Sequence, residues 1–252
     1  MNKQIWLSKC LSWKEKWPVF QEQGSKLNDD SAGINIYKLL DILNQNLKKD
    51  SVITSDAGSA FYTTNQAFRL DGENQRLICS LAQAEMGAAL AISAGVSFAK
   101  NKGEVICIIG DGSFNTNPQA LAIIKKHKLP VKIFILNNGG YLSIKNSQDK
   151  FYEGRRIGTD NKDGMFFPEA NKISQAYEIK FYAINLIENC DKIVKDVLDE
   201  NEPVICEVIC QEIQEISPGI TASKNVDGKL EQCGFENMAP FIEGIEKEMI
   251  KD

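Results

Sequence analysis

Histidine and paired cysteine are what this sequence has least of. Its 252 residues contain one histidine, His127, and no CxxC pair among seven cysteines. One histidine excludes a multi-histidine metal centre and leaves little room for a Ser-His-Asp hydrolase. The cysteines, at positions 10, 79, 107, 190, 206, 210 and 233, are odd in number and scattered, and the closest pair, Cys206 and Cys210, falls in a strand-like run. That pattern predicts reduced cytosolic thiols rather than a disulfide frame or a zinc site. No apolar run approaches the roughly 18 residues of a membrane span, and the Trp- and Lys-rich stretch from Met1 to Pro18 is unlike a signal peptide. With 29 basic and 34 acidic residues the net charge is −5, and no Lys/Arg cluster stands out to coat a nucleic acid. The expectation is a cytoplasmic protein that binds neither membrane nor nucleic acid.

A composition of 43% hydrophobic and 25% charged residues is that of an ordinary globular chain. Residues 1–33 read as an N-terminal arm carrying Trp6, Trp13 and Trp17. Ile36, Leu39, Leu40, Ile42 and Leu43 then recur at helical spacing, and Val52-Ile53-Thr54 is a short β-branched run. Arg76–Ser80 predicts a second strand, and the Ala-rich stretch Met86–Ala99 predicts a closely packed helix. Val105–Ile109 is a continuous apolar strand. Asn117 is placed to cap a helix from Pro118 to about His127, with proline at its first position. Val131–Leu136 is another strand, followed by a helix near Pro168–Ala176, a strand Lys180–Ala183, a helix Cys190–Leu198 and a strand Pro203–Cys210. Strands apolar on both faces belong in a parallel sheet flanked by helices. The expected fold is an α/β, doubly wound parallel sheet with helices on both faces, over residues 34–212, with residues 213–252 as a C-terminal tail packing on the domain or a partner.

Ligands of such sheets collect at the carboxyl ends of the strands. Two strand ends carry unusual loops: Gly110-Asp111-Gly112-Ser113 and Asn137-Asn138-Gly139-Gly140-Tyr141. The 24 residues between Gly112 and Asn137 suffice for one helix and one adjacent strand, which sets the loops side by side. Glycines let a phosphate approach closely, and Ser113 adds an N–H and a hydroxyl. Asp111, Asn138 and the carbonyl of Gly140 could supply three oxygens to Mg²⁺, with a diphosphate and a water completing the shell. Either motif alone is a commonplace turn. Together, at this spacing and each after an apolar strand, they mark a ligand site.

This pattern resembles the thiamine-diphosphate (ThDP) motif of the acetolactate synthase and pyruvate decarboxylase superfamily. Asp56–Phe61 followed by Asn65-Gln66 is similar to the family's first diphosphate-contacting loop, and Gln83–Gly87 to its aminopyrimidine loop. Gln148–Tyr152 and Glu236–Phe241 look like acetolactate-synthase segments. The resemblance covers only the C-terminal, diphosphate-binding third of such enzymes. It implies the ThDP-binding fold, with Mg²⁺ on Asp111, Asn138 and the Gly140 main chain. Cofactor contacts would come from Gly58, Ser59, Ala60, Gly110, Gly112, Ser113, Asn138, Tyr141 and Leu142, with the Ala84 and Met86 main chains meeting the aminopyrimidine. The Met86 side chain would press the cofactor into its bent form, although a methionine opening an Ala-rich helix also reads as core filler.

The implied function is a subunit of a 2-oxo acid decarboxylase/carboligase acting on pyruvate, whose enamine adds to a second carbonyl. The alternatives are a decarboxylase subunit for a sulfopyruvate- or phosphonopyruvate-like acid, or a non-catalytic binding module. The glutamate that activates the cofactor in the resembling enzymes belongs to a pyrimidine-binding domain, so it is expected on a partner chain, in a hetero-oligomer such as a heterotetramer. Glu85 is the only local stand-in. Lys145 falls in the stretch where the simple decarboxylases carry a catalytic acid. Arg155 or Arg156 is placed to meet a substrate carboxylate if the following loop folds over the site. His127 reads as a surface residue away from both loops.

Overall fold

A computed structural model describes residues 3–16, 19, 32–216, 219, 222–224, 227 and 229–232. Trp17, Cys233 and the segment Glu236–Phe241 lie outside the described residues. The chain divides into two units, Met1–Gln214 and Glu215–Asp252.

The first unit carries a six-stranded, all-parallel sheet. Its strands are β1 (Val52–Ser55), β2 (Arg76–Cys79), β3 (Val105–Gly110), β4 (Val131–Asn137), β5 (Lys180–Ile184) and β6 (Val204–Ile209). They lie in the order β2-β1-β3-β4-β6-β5. The sheet is apolar on both sides because successive residues face opposite ways. Ile106, Ile108, Phe134, Leu136, Val204, Cys206 and Val208 enter one core. Val105, Cys107, Ile109, Ile133, Ile135 and Ile205 enter the other.

The first core is covered by α2 (Ile36–Asn46), α3 (Ser59–Ala67) and α9 (Cys190–Asp199). In α2 the i, i+3, i+4, i+7 set Ile36, Leu39, Leu40 and Leu43 is fully buried. Burying each such side chain stabilises the fold by about 2 kcal/mol. The second core is covered by α4 (Ala88–Ala99), α6 (Ala120–Lys126) and α8 (Ala170–Ala176). Two short helices start at the strand ends of interest, α5 (Asp111–Phe114) after β3 and α7 (Leu142–Phe151) after β4. At the N-terminus α1 (Lys3–Lys16) has no buried residue, and Trp6 meets Trp13 edge-on at 5.8 Å. In the second unit β7 (Ala222–Lys224) pairs antiparallel with β8 (Leu230–Gln232).

Two expected helix starts shift. The Ala-rich helix begins at Ala88, not Met86, because Gly87 takes a left-handed φ of +83° at its N-cap. Asn117 does not cap the crossover helix: its side-chain amide donates to the Gly87 carbonyl (3.0 Å), and turns at Asn117 and Pro118 delay the helix to Ala120. His127 is exposed at the end of α6, edge-on to Phe98.

Candidate functional site

The order of the strands reverses between β1 and β3, and the chain leaves their carboxyl ends toward opposite cores. A doubly wound sheet opens its ligand crevice at such a point. Asp56 follows β1 there, but its buried carboxylate is already committed. It accepts the N–H groups of Gly87 (3.0 Å) and Ala89 (2.9 Å) and so caps α4. Gly58, at φ +64°, turns the chain into α3, whose N-cap makes no side-chain hydrogen bond. Ser59 and Ala60 are buried in the first turn of α3, whose N–H groups have no intrahelical acceptor.

At the end of β3 the Asp111 carboxylate accepts from the N–H of Gly112 and of Gly140, each at 2.7 Å. The second bond joins the two glycine loops, as their spacing predicts. Burial pushes the Asp111 carboxyl up to about 6, against the pull of those N–H groups, the Lys145 ammonium and the Gly139 N–H. Beside it Asn138 is 4% exposed, and its Oδ1 is buried with no hydrogen-bond partner. A buried, unpaired amide oxygen is costly unless something fills it. One ionisable oxygen donor and one orphaned hard oxygen form a donor set that suits Mg²⁺. The Gly140 carbonyl accepts from Leu142 N–H (3.0 Å) and keeps one lone pair.

Close approach explains the glycines. A Cβ on Gly112 would stand 2.3 Å from the Tyr141 ring, and one on Gly140, at φ +132°, would stand 2.1 Å from the Thr159 carbonyl oxygen. Tyr141 N–H donates to that same oxygen (2.9 Å), and its ring meets Phe167 edge-on. Gly110 is the N-cap of α5, Ser113 is buried in it, and Leu142 is buried at the start of α7. The loop before α4 faces outward instead. Met86 is 39% exposed, which removes the core-filler reading, and Leu81 is 75% exposed. Ala84 holds φ +49°, a strained conformation for a residue with a side chain. The Glu85 carboxyl is held below its usual range by a hydrogen bond from Ser80 and by its own backbone N–H.

The partners of several residues near the site are not legible in the sequence. The Lys145 side chain is 2% exposed, its ammonium donating to the Gly139 carbonyl (2.9 Å) and lying 3.5 Å from Asp160 and 3.8 Å from Glu212. Its spacing of three from buried Leu142 was the available signal. In the same helix Ile144, not Lys145, reaches the exterior. Arg156 is occupied by Asp149 (2.9 and 2.7 Å) and Glu212 (3.3 Å), whereas Arg155 is exposed with no ion pair among the described residues. The Gln148 side chain brackets Ile157, accepting its N–H and donating to its carbonyl. A cavity of about 450 Å³ lies beside Asp111, walled by Phe167 and Phe181 and carrying Glu169 and Glu207 but no basic side chain.

Residues 56–208 match the model of the family described as thiamine pyrophosphate enzyme, C-terminal TPP binding domain. The chain is 27% identical over 220 residues to the acetolactate synthase large subunit of Porphyra purpurea, covering 87% of this chain and 35% of the relative. It is 29% identical over 219 residues to mitochondrial acetolactate synthase of Schizosaccharomyces pombe, covering 87% and 32%. A Lactococcus lactis acetolactate synthase large subunit is 25% identical over 224 residues, covering 88% and 37%. The chain thus spans about a third of the length of the curated relatives it matches. With more than half of its residues in the family match and an all-parallel α/β sheet to carry them, this chain belongs to the C-terminal TPP-binding domain family of thiamine pyrophosphate enzymes.

Proposed function

We propose that the chain is the ThDP- and Mg²⁺-holding subunit of an acetolactate-synthase-like 2-oxo acid decarboxylase/carboligase, completed by a pyrimidine-binding partner chain. One observation carries the reading: buried Asp111 stands beside the orphaned Oδ1 of Asn138 at the carboxyl edge of a sheet from this family. When bound, ThDP supplies the electron sink that lets a 2-oxo acid lose CO₂.

The chain's own residues bind and orient. Asp111, Asn138 and the Gly140 carbonyl hold the cation. The N–H groups at Gly58–Ala60 and Ser113 face the diphosphate, with Gly110, Gly112, Tyr141 and Leu142 framing the loops. The Ala84 and Met86 main chains would meet the pyrimidine, and the exposed Met86 side chain would give the cofactor an apolar rest. The two acids of these loops are otherwise engaged: Glu85 is held below its usual range by Ser80 and its own backbone N–H, and Asp111 is turned inward to backbone N–H groups. The proton work of activating the cofactor falls to the partner. Exposed Leu81, Met86 and Tyr62 are apolar surface for the partner to cover. The free thiols, four of them buried, suit the reducing cytoplasm.

The test is an assay of the pure chain with ThDP, Mg²⁺ and pyruvate. CO₂ release should be negligible and should appear when the partner chain is added. Robust turnover from a preparation shown by mass spectrometry to hold only this polypeptide would contradict the proposal. Product analysis with pyruvate alone, with added aldehydes, and with sulfo- or phosphonopyruvate separates carboligation from the decarboxylase reading. A folded chain that takes up no ThDP with the partner present would favour a non-catalytic module.

A further inference from the structure

Two peptide units lie between Asn138 and Gly140, and both of their outer residues are proposed cation ligands. The glycines within, Gly139 at φ +75° and Gly140 at φ +132°, have the freedom to let those units flip. The second unit is gripped at both ends. Its carbonyl, that of Gly139, accepts from the Lys145 ammonium at 2.9 Å, and its N–H, that of Gly140, donates to Asp111 Oδ2 at 2.7 Å. The first unit is held in the same way but more loosely, with the Asn138 carbonyl 3.4 Å from Lys145 and the Gly139 N–H 3.1 Å from Asn137 Oδ1. Because a peptide unit is planar, fixing its oxygen and its hydrogen fixes the whole plane.

Lys145 itself cannot drift. Its side chain is buried in α7, and Asp160, 6% exposed, and Glu212 flank its ammonium. No other side chain among the described residues donates to the Gly139 carbonyl.

Resting on the ThDP and Mg²⁺ reading, we infer that Lys145 is a positioning residue: a built-in ammonium that clamps the Gly139–Gly140 peptide against Asp111 and so aims Asn138 and the Gly140 carbonyl at the cation. Two effects of its removal oppose each other. Loss of the clamp frees the loop and weakens cation binding, whereas loss of a nearby positive charge strengthens it. The clamp is the larger effect, because groups that orient metal ligands are worth about 10–100-fold in affinity.

The experiment uses the full chain and the variants Lys145→Met, Lys145→Arg and, as a control, Lys132→Met. Calorimetry reads the Mg²⁺ concentration that half-saturates ThDP uptake, and hydrogen exchange reads the Gly140 amide without cofactor. Lys145→Met should raise the Mg²⁺ half-saturation about ten-fold or more. It should also speed Gly140 exchange by about as much, as the bond to Asp111 opens. Lys145→Arg keeps donors at the same place and should stay within about three-fold of the parent in both readouts. Lys132→Met should leave both unchanged.

An unchanged or lower Mg²⁺ half-saturation in a folded Lys145→Met chain would overturn the inference. If that variant fails to fold, Lys145→Gln, which keeps a single donor group, should give an intermediate shift, and parental behaviour from it would overturn the inference equally. Failure of the parent to take up ThDP would count against the proposed function instead. The exchange readout would still decide whether Lys145 clamps the loop.

Discussion

Two lysines are buried among the described residues, one near each edge of the sheet, and they serve opposite ends. Lys132, at the start of β4 and 0% exposed, donates to the carbonyls of Glu200 and Glu202 and ties the turn between α9 and β6. Among the described residues no buried side-chain polar atom there lacks a partner. Lys145 lies at the carboxyl edge, where an orphaned amide oxygen, two positive-φ glycines and a strained Ala84 gather within a few loops. Polar groups are matched at the amino edge and left poised at the carboxyl edge, as expected when one edge stabilises the fold and the other awaits a ligand.

The sharpest way to break this contrast is Gly140→Ala. Its Cβ would stand 2.1 Å from the Thr159 carbonyl oxygen at a φ of +132°, so either the Thr159–Asp160 loop moves or the Asp111 bond is lost. A loss of about 3 kcal/mol or more in urea unfolding is expected, together with loss of ThDP uptake. A variant as stable as its parent would show that the close packing of these loops is not required.

A smaller effect follows from pH. In the folded, cofactor-free chain the Asp111 carboxyl lies at about 6 against an ordinary 3.8. The folded state therefore holds the extra proton between these values, and the stability it lends is present below about pH 4 and lost as pH rises through about 6. The size is on the order of 3 kcal/mol. Asp111→Asn removes this titration, so its stability relative to the parent should rise across that window. A difference flat from pH 4 to 7 would refute the buried-acid description.

At the amino edge Lys132→Met should cost about 1–2 kcal/mol, since two part-buried carbonyls lose their donor while an expensive buried charge is removed. Burial also lowers Lys132 to about 8. The parent should therefore gain stability relative to this variant as pH rises from about 8 toward 10.5, where the unfolded lysine still binds its proton and the folded one does not. Parallel pH curves in thermal melts would remove that assignment.

The sheet was legible because β3 is a continuous apolar run and β4 is apolar from Ile133 to Leu136, which burial on both faces explains. The two glycine loops were legible as a pair because one helix and one strand separate them. Strand order was not: nothing local in Lys180–Ile184 or Val204–Ile209 says that the later strand inserts between β4 and β5. Asp56 looked like part of the diphosphate loop, and its bonds to Gly87 and Ala89, on a distant segment, carry no local signature. The burial of Lys145 was not legible for a related reason. A lysine in a polar helix reads as solvated, and only the fold brings Asp160 and Glu212 to it.

The most direct test of the account is a ThDP titration of the parent chain and of Asp111→Ala, with and without Mg²⁺. The parent should take up one ThDP per chain only when Mg²⁺ is present, Asn138→Ala should bind more weakly, and Asp111→Ala should bind none, because it removes the one charged oxygen of the proposed cation shell. Equal uptake by Asp111→Ala and its parent in matched Mg²⁺, or uptake by the parent that ignores Mg²⁺, would contradict it.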